Sequence, residues 1–325
     1  MHIKAQRKHL LVEVKQYIKK VKKLHKIVKE FILILINLLS KLKMNYLKKK
    51  LSSLITWLIE DYFASSSTMR RFINQIQWQM RSNELKNHPN PILNKGIKYF
   101  SQNEEDGILL EILKRMKIFC GSFIEFGVGN GTENNSIILL MLGWRGAWID
   151  ICDLSFDTSK SSKLFFLKSK VTLSNTLTIY NKALNLLKLK DFDVLSIDLD
   201  GIDIYLIEWI LFNGYRPKIF ICEYNAKFPP PVKFRVPYSD NFEWDQESDF
   251  SGASLQSYVD LMNLYNYKLV ACNITGSNCF FVSSEYEKNF TDIKLSLEDI
   301  FCPPNDGVLY TFNHKPSPKT IEQFI

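Results

Sequence analysis

The sequence predicts an α/β fold: a seven-stranded, doubly wound sheet whose sixth and seventh strands form an antiparallel hairpin, preceded by a basic N-terminal helical arm. Three observations predict it. Strand-like apolar runs alternate with helical stretches between residues 101 and 283, the pattern of a mostly parallel sheet covered on both faces. "FIEFGVGNG", Phe123 to Gly131, is an apolar run that ends in an acid and then places glycine at every second position, as a strand does when it delivers a nucleotide-binding loop. The last two runs, in "YKLVACNITGSNCFFVS", are joined only by Thr275-Gly276-Ser277-Asn278, too short a link for a parallel crossover.

The arm comes first. Residues 1–50 hold 15 of the 42 Lys+Arg and two of the 34 Asp+Glu, so the remaining 275 residues carry 27 basic against 32 acidic side chains. The main body is mildly acidic, and no nucleic-acid partner is expected. Apolar residues recur at Leu10, Val14, Tyr17, Val21, Leu24, Val28, Phe31, Leu35, Leu38 and Leu42, while Lys15, Lys19, Lys22, Lys23, Lys26 and Lys29 fill the other face. This heptad stripe has three readings. It is a helix on an anionic membrane surface, a self-association seam through residues 10–42, or a structural helix with a solvated face. The flanks lack the mixed charge that specifies coiled-coil pairing, which favours the membrane surface. The longest apolar run, Phe31 to Ile36, is far short of the ~20 residues needed to span a bilayer, and no small-residue cleavage pattern follows it. Six cysteines without C-x-x-C spacing read as reduced core residues of a cytoplasmic protein, peripheral at the membrane.

The organisation that follows is arm 1–50, helical connector and linker 51–96, an α/β domain 97–290, and a tail 291–325. "KNHPNPILNKG", Lys86 to Gly96, has linker composition. Ser101-x-x-Glu104 reads as a capping box opening a helix. Then come the quoted strand, a helix from about Glu133 to Leu142 stopped by Gly143, and "GAWIDI" (Gly146 to Ile151) as the second strand. A weaker third strand lies at Leu164 to Leu167, and a helix follows near Leu177 to Leu187. "FDVLSIDLD" (Phe192 to Asp200) is the fourth strand, with a helix through Tyr205 to Phe212; "KIFICEYN" (Lys218 to Asn225) is the fifth. A long loop and a helix from about Ala253 to Leu264 precede the hairpin.

Chemistry in such a fold gathers at the carboxyl ends of the strands. Glu125, Gly127, Gly129 and Gly131 form the candidate cofactor loop, because glycine admits φ > 0 and lets backbone N–H groups approach a ligand. Asp150 ends the second strand 19 residues beyond Gly131, where a carboxylate can accept both ribose hydroxyls. This arrangement serves NAD and S-adenosylmethionine alike. The dinucleotide pattern G-x-G-x-x-G fails at Thr132, and a dinucleotide fold would not close on an antiparallel hairpin; both favour S-adenosylmethionine. All five histidines lie outside the strand–helix core, so carboxylates are the candidate bases. Asp198 and Asp200 end the fourth strand, and Glu223 with Asn225 ends the fifth. The group is either a general base or a Mg²⁺-type site; alternatively Asp200 and Asp203 only cap the next helix. The loop from Lys227 to Ser254, with Phe228, Phe234, Tyr238, Phe242, Trp244 and Phe250, is too long and aromatic for a plain connection and reads as a lid. Lys233 and Arg235 are candidates to meet an acidic or phosphorylated acceptor, with solvated loop charges the commoner case. The sequons at Asn134, Asn273 and Asn289 carry no weight.

"SQNEEDG" (Ser101 to Gly107), "FIEFGVGNGTENNS" (Phe123 to Ser136), "GWRGAWID" (Gly143 to Asp150) and "DVLSIDLDG" (Asp193 to Gly201) together resemble FkbM-type, class I S-adenosylmethionine-dependent methyltransferases over about residues 98–285. The resemblance implies that Glu125, Gly127 and Gly129 line the cofactor, that Asp150 holds its ribose, and that Asp198 lies beside the sulfonium. The family's second strand commonly ends in Glu-Pro, whereas Asp150 is followed by Ile151 and Cys152. The expectation is methyl transfer from S-adenosylmethionine to a hydroxyl of a glycan or other small-molecule acceptor. A non-catalytic scaffold of the same fold and an NAD(P)-dependent oxidoreductase are the alternatives.

Overall fold

The computed structural model describes residues 82, 84–304 and 316–325. The basic arm, most of the helical connector and residues 305–315 of the tail lie outside the described residues. The chain divides into two units, Met1–Gln75 and Ile76–Ile325, and all that follows concerns the second. Among the described residues, no helix is long and apolar enough to cross a membrane.

Seven strands form one sheet: β1 (Ser122–Phe126), β2 (Arg145–Asp150), β3 (Leu164–Lys168), β4 (Val194–Ile197), β5 (Ile219–Glu223), β6 (Tyr267–Cys272) and β7 (Asn278–Ser283). Their order is β3-β2-β1-β4-β5-β7-β6. The first five are parallel neighbours, and β7 runs antiparallel to both β5 and β6, as the short final turn requires. Every residue of β1 and β4 is buried, which is why these central strands read as unbroken apolar runs rather than alternating ones. α1 (Glu105–Met116) precedes β1; the connections between strands carry α2 (Ile137–Met141), α3 (Leu173–Leu187), α4 (Asp203–Phe212) and α5 (Leu255–Leu264), and α6 (Leu297–Ile300) and α7 (Pro318–Glu322) follow the sheet.

α1 does not open on the expected capping box. Its N-cap is Glu104, without a side-chain cap. The acids of this segment have buried partners elsewhere. Asp106 Oδ2 accepts the backbone N–H groups of Tyr99, Phe100 and Ser101 at 2.7, 2.6 and 2.9 Å. Glu104 accepts Ile274 N at 2.6 Å, and Glu105 accepts Asn273 Nδ2 at 2.7 Å. The start of α1 is thereby pinned to the β6–β7 turn by charge-assisted bonds, the stronger class. The stretch expected as a linker is also part of this body: Ile92 and Leu93 are fully buried, and Asn90 Nδ2 donates to Val270 O at 2.8 Å.

The loop after β5 builds a small core of its own from Phe228, Phe234 and Val236, with the rings of Phe228 and Phe234 stacked at 4.0 Å. The C-terminal helix closes this core. Asp249, 3% exposed, accepts Ser317 N at 2.9 Å and Thr320 Oγ1 at 2.7 Å, and the Phe324 ring lies 6.4 Å from that of Phe228. Asp249→Ala leaves two buried donors unmatched, each loss costing about 1–3 kcal/mol. The expected result is chymotryptic cleavage within residues 228–250 several-fold faster than in the wild type, with the same effect on removing residues 316–325. Unchanged cleavage in both variants would show that the helix does not hold the loop.

Candidate functional site

A cavity of about 650 Å³ opens at the carboxyl ends of the parallel strands. It lies where the strand order reverses between β1 and β4, the usual ligand position in a doubly wound sheet. Its walls come from the loops after β1, β2, β3, β4 and β5, and from the middle of the lid.

The β1 loop is shaped by its glycines for different reasons. Gly127 has φ +81°, and a Cβ there would sit 1.6 Å from the carbonyl oxygen of Asp198, so no other residue fits between β1 and β4. Gly129 also has positive φ but faces open space, with nothing within 4 Å of a Cβ. Gly131, expected among the cofactor contacts, is outside the cavity wall. It packs against Leu154, Phe156 and Trp148, and its role is the fit of the loop over β2.

Glu125, next to last in β1, is 1% exposed. Oε1 accepts Asn135 N at 2.8 Å and Ser196 Oγ at 3.0 Å. Oε2 accepts Asn134 Nδ2 at 2.7 Å, Ser136 N at 2.9 Å and the Ser136 hydroxyl. Trp148 Nε1 donates in turn to Ser136 Oγ at 2.8 Å. Glu125 borders the cavity, but its oxygens serve the chain itself, so it positions the loop rather than offering a free acceptor. Residues 134–136 are held in this way ahead of α2, which starts at Ile137 instead of near Glu133. The clue in the sequence was Asn-Asn-Ser after a strand-end acid, residue types that bond locally in place of helix.

Asp150 reaches the same loop: Oδ2 accepts Gly129 N and Oδ1 accepts Cys152 N, both at 2.7 Å. At 8% exposure it is fixed at the cavity wall with lone pairs remaining for a hydroxyl.

Across the cavity, oxygens of Asp198, Asp200 and Glu223 lie within 4.8 Å of one another. Asp203 holds their turn. Its Oδ1 accepts Leu199 N at 2.7 Å and its Oδ2 accepts Gly201 N at 3.0 Å, while Asp200 takes a left-handed φ of +58°. Helix capping is therefore not the role of either acid, since the N-cap of α4 is Ile202, without a side-chain cap. Burial pushes the Asp198 carboxyl up to about 7, and the charges of Asp203 and Asp200 add to the shift. Glu223 moves in the same direction, first through burial and then through Asp198; the two share a hydrogen bond. Asp203 is raised to about 6 by burial, against the pull of its backbone bonds. Asn225, expected as a further ligand, is committed to the lid: its Nδ2 donates to the carbonyls of Asp249 and Ser251, both at 2.9 Å, and its Oδ1 accepts Lys227 N at 3.1 Å. The residue opposite Glu223 across the β5–β7 ladder is Asn278. It lines the cavity, and its buried Oδ1 has no partner.

The lid contributes Asp240, Phe242 and Glu243. The Phe242 ring lies over Gly201, where a Cβ would come within 2.4 Å of it. Lys233 and Arg235 are not in the wall. Lys233 pairs with Asp260 at 2.6 Å, and Arg235 pairs with Glu208 at 3.9 Å and lies over the Tyr205 ring. All six cysteines are free, but Cys120 and Cys152 are exposed rather than in the core. Asn134 and Asn273 of the sequons are buried.

No protein-family model matches the chain, and no curated protein sequence does. Among solved structures, it is similar to the MycE methyltransferase of the mycinamycin biosynthetic pathway, in complex with Mg, SAH and mycinamycin VI. That likeness has 15% identity over 57% of this chain and 50% of MycE, with a TM-score of 0.37. The chain thus spans half the length of that relative. It is also similar to the SAH-bound Podospora anserina methyltransferase PaMTH1 (9% identity, 59% of this chain and 82% of that one, TM-score 0.32). A third likeness is to the glycopeptide N-methyltransferase MtfA complexed with SAH (12%, 58% and 94%, TM-score 0.32).

Proposed function

We propose that the chain is an S-adenosylmethionine-dependent methyltransferase acting on a hydroxyl of a small-molecule or glycan acceptor. The observation that carries the reading is the placement of two different sites on one cavity: a glycine loop with Asp150 at the ends of β1 and β2, and a hydrogen-bonded carboxylate pair, Asp198 and Glu223, at the ends of β4 and β5. The residues fit the cofactor. Gly129 leaves open space where a side chain would stand, and Asp150 is held beside it by the Gly129 N–H, within reach of a ribose. They also fit a hard divalent cation such as Mg²⁺. Asp198, Asp200 and Glu223 offer clustered oxygens. Oxygen ligands of this kind suit Mg²⁺, and the cation would lower the pKa of an acceptor hydroxyl.

S-adenosylmethionine supplies a methyl carbon on a positively charged sulfur. The chain's contribution is alignment and proton removal. Bound there, the cofactor would give its methyl carbon to the acceptor oxygen, with the carbon–sulfur electron pair left on sulfur. The hydroxyl proton passes to the unprotonated member of the Asp198–Glu223 pair. A carboxyl raised to about 7 is a stronger base than an ordinary one and still half ionised near neutrality, which is the useful range for a general base.

Three outcomes test this. In a thermal-shift screen of the full chain, S-adenosylmethionine and S-adenosylhomocysteine raise the melting temperature by a few degrees, as ligand at ~100-fold its Kd adds about 2.7 kcal/mol; stabilisation by NAD alone would overturn the reading. Calorimetric titration detects Mg²⁺ binding to the wild type and at least about tenfold weaker binding to Asp198→Asn, because one charged ligand is lost. Absence of metal binding in both leaves the base role without a cation. The third outcome concerns pH in the presence of a chelator. The Asp198 carboxyl is raised in the fold, from 3.8 to about 7, so the native state keeps a proton that the unfolded chain releases. The contribution is full below about pH 4 and is lost as pH rises to about 7. Urea unfolding should show wild type losing on the order of 2 kcal/mol more than Asp198→Asn across that window, allowing for water at the half-buried pair. Parallel curves for the two proteins would contradict the assignment.

A further inference from the structure

The cavity occupies the carboxyl ends of the parallel strands, and eight of the 24 residues that line it are acidic against one basic. The opposite end of the sheet has another character. There the last turns of three helices carry large apolar side chains: Leu186 of α3, Phe212 of α4 and Leu264 of α5, 41%, 69% and 78% exposed. Side-chain contacts tie these helix ends into one surface. Asn181 shares a shallow surface depression with Leu186 and accepts the Tyr215 hydroxyl at 2.5 Å. The guanidinium of the next residue, Arg216, donates to Leu211 O at 2.5 Å and lies 5.2 Å from the Tyr265 ring, so it bridges the ends of α4 and α5. Trp209 stacks on Phe212 at 5.7 Å. The surface continues towards β1, because Asp193, just before β4, accepts Ser122 N at 2.8 Å and pairs with Lys218, just before β5, at 2.6 Å. The exposed Phe119 leads into β1 beside them.

The charge on this end is cationic. Lys182, Lys188, Lys190 and Arg216 are exposed, and none is in an ion pair among the described residues. α3 contains no acid. The neighbouring acids are engaged: Asp191 accepts the Tyr180 hydroxyl and Arg216 N, each at 2.5 Å, and Glu208 of α4 and Asp260 of α5 pair with Arg235 and Lys233. Apolar tips set among free cations suit an anionic bilayer, whose interface takes the tips while its headgroups meet the cations. A second copy of the same face would set cation against cation, which opposes self-pairing through it. The acidic cavity end is repelled by a negative surface, and this fixes the orientation.

We propose that the amino-end face of the sheet, centred on Phe212, Arg216 and Leu264, docks on a bilayer of anionic lipid and holds the cavity turned away from it. All of its residues belong to the described body, so it is a second contact, separate from the basic arm.

Two exposed cysteines report the orientation. Cys120 stands next to Phe119 at the amino end of β1, and Cys152 follows β2 at its carboxyl end. The full-length chain is treated with a polyethylene-glycol maleimide alone, with phosphatidylcholine vesicles, and with mixed phosphatidylcholine and phosphatidylserine vesicles, and loss of each unmodified cysteine peptide is followed by mass spectrometry. On the mixed vesicles Cys120 should react about tenfold more slowly once about nine-tenths of the protein sediments with them, since only the free fraction then reacts. Cys152 should react as in solution, and neutral vesicles should protect neither. Phe212→Glu/Leu264→Glu changes two exposed side chains; it should keep the wild-type melting temperature and lose the protection of Cys120, even if the arm still carries the protein down with the vesicles. The proposal is overturned if the chain does not bind the mixed vesicles, if Cys120 stays reactive in bound protein, if Cys152 is protected equally, if neutral vesicles protect as well, or if protection survives in the double variant. Protection that grows with protein concentration in the absence of vesicles overturns it in favour of a second copy.

Discussion

The buried carboxylate of Glu125 is the constraint on which the site depends. An acid at 1% exposure is tolerable only when its oxygens are bonded, and the partners are drawn from two places. Asn134, Asn135 and Ser136 come from the loop beyond the glycines, and Ser196 comes from the neighbouring strand. These bonds fix residues 134–136 ahead of α2 and so fix the loop that borders the cavity. Gly127 makes the same demand from the other side, since only its missing Cβ lets β1 turn past the carbonyl of Asp198.

On that scaffold the two ends of the cavity have opposite electrostatic character. The Gly129 and Cys152 N–H groups hold one lone pair on each oxygen of Asp150 and leave the others for a hydroxyl. Asp198 and Glu223 have mainly each other, and burial with crowding forces them to retain a proton. A proton and a divalent cation would therefore compete for the same oxygens, with the cation favoured as pH rises. Asp203 clamps the turn that follows Asp198, where Asp200 takes a left-handed φ.

Much of the architecture was legible in the sequence. The strand–helix alternation located all seven strands to within a few residues, because buried parallel strands are uniformly apolar and are bounded by glycine and acid. The closing hairpin followed from chain length alone. Boundaries failed where side chains had distant partners. Glu104 was read as the second half of a capping box but bonds the β6–β7 turn, and the helix expected from Glu133 starts beyond the residues that bond Glu125. Asn90 to Leu93 look like linker by composition, yet they bury against β6. The tail carries a helix whose Ser317 and Thr320 secure the lid through Asp249.

For the site, local pattern determined which residue types end the strands: Glu125, Asp150, Asp198 and Glu223 are each a few residues from glycine or at a strand terminus, and strand termini converge in any doubly wound sheet. Only the tertiary structure decided what each acid does. It separated Asn225, whose amide is held by the lid, from Asn278, which arrives beside Glu223 by pairing of β7 with β5. It also showed that Gly131 packs on Trp148 while Gly129 faces the cavity, and that Lys233 and Arg235 are paired on the outer surface. The physical reason is the same in each case. Spacing along the chain sets the direction of a side chain within its own element, but a hydrogen bond or ion pair depends on which other element the fold brings within about 3 Å.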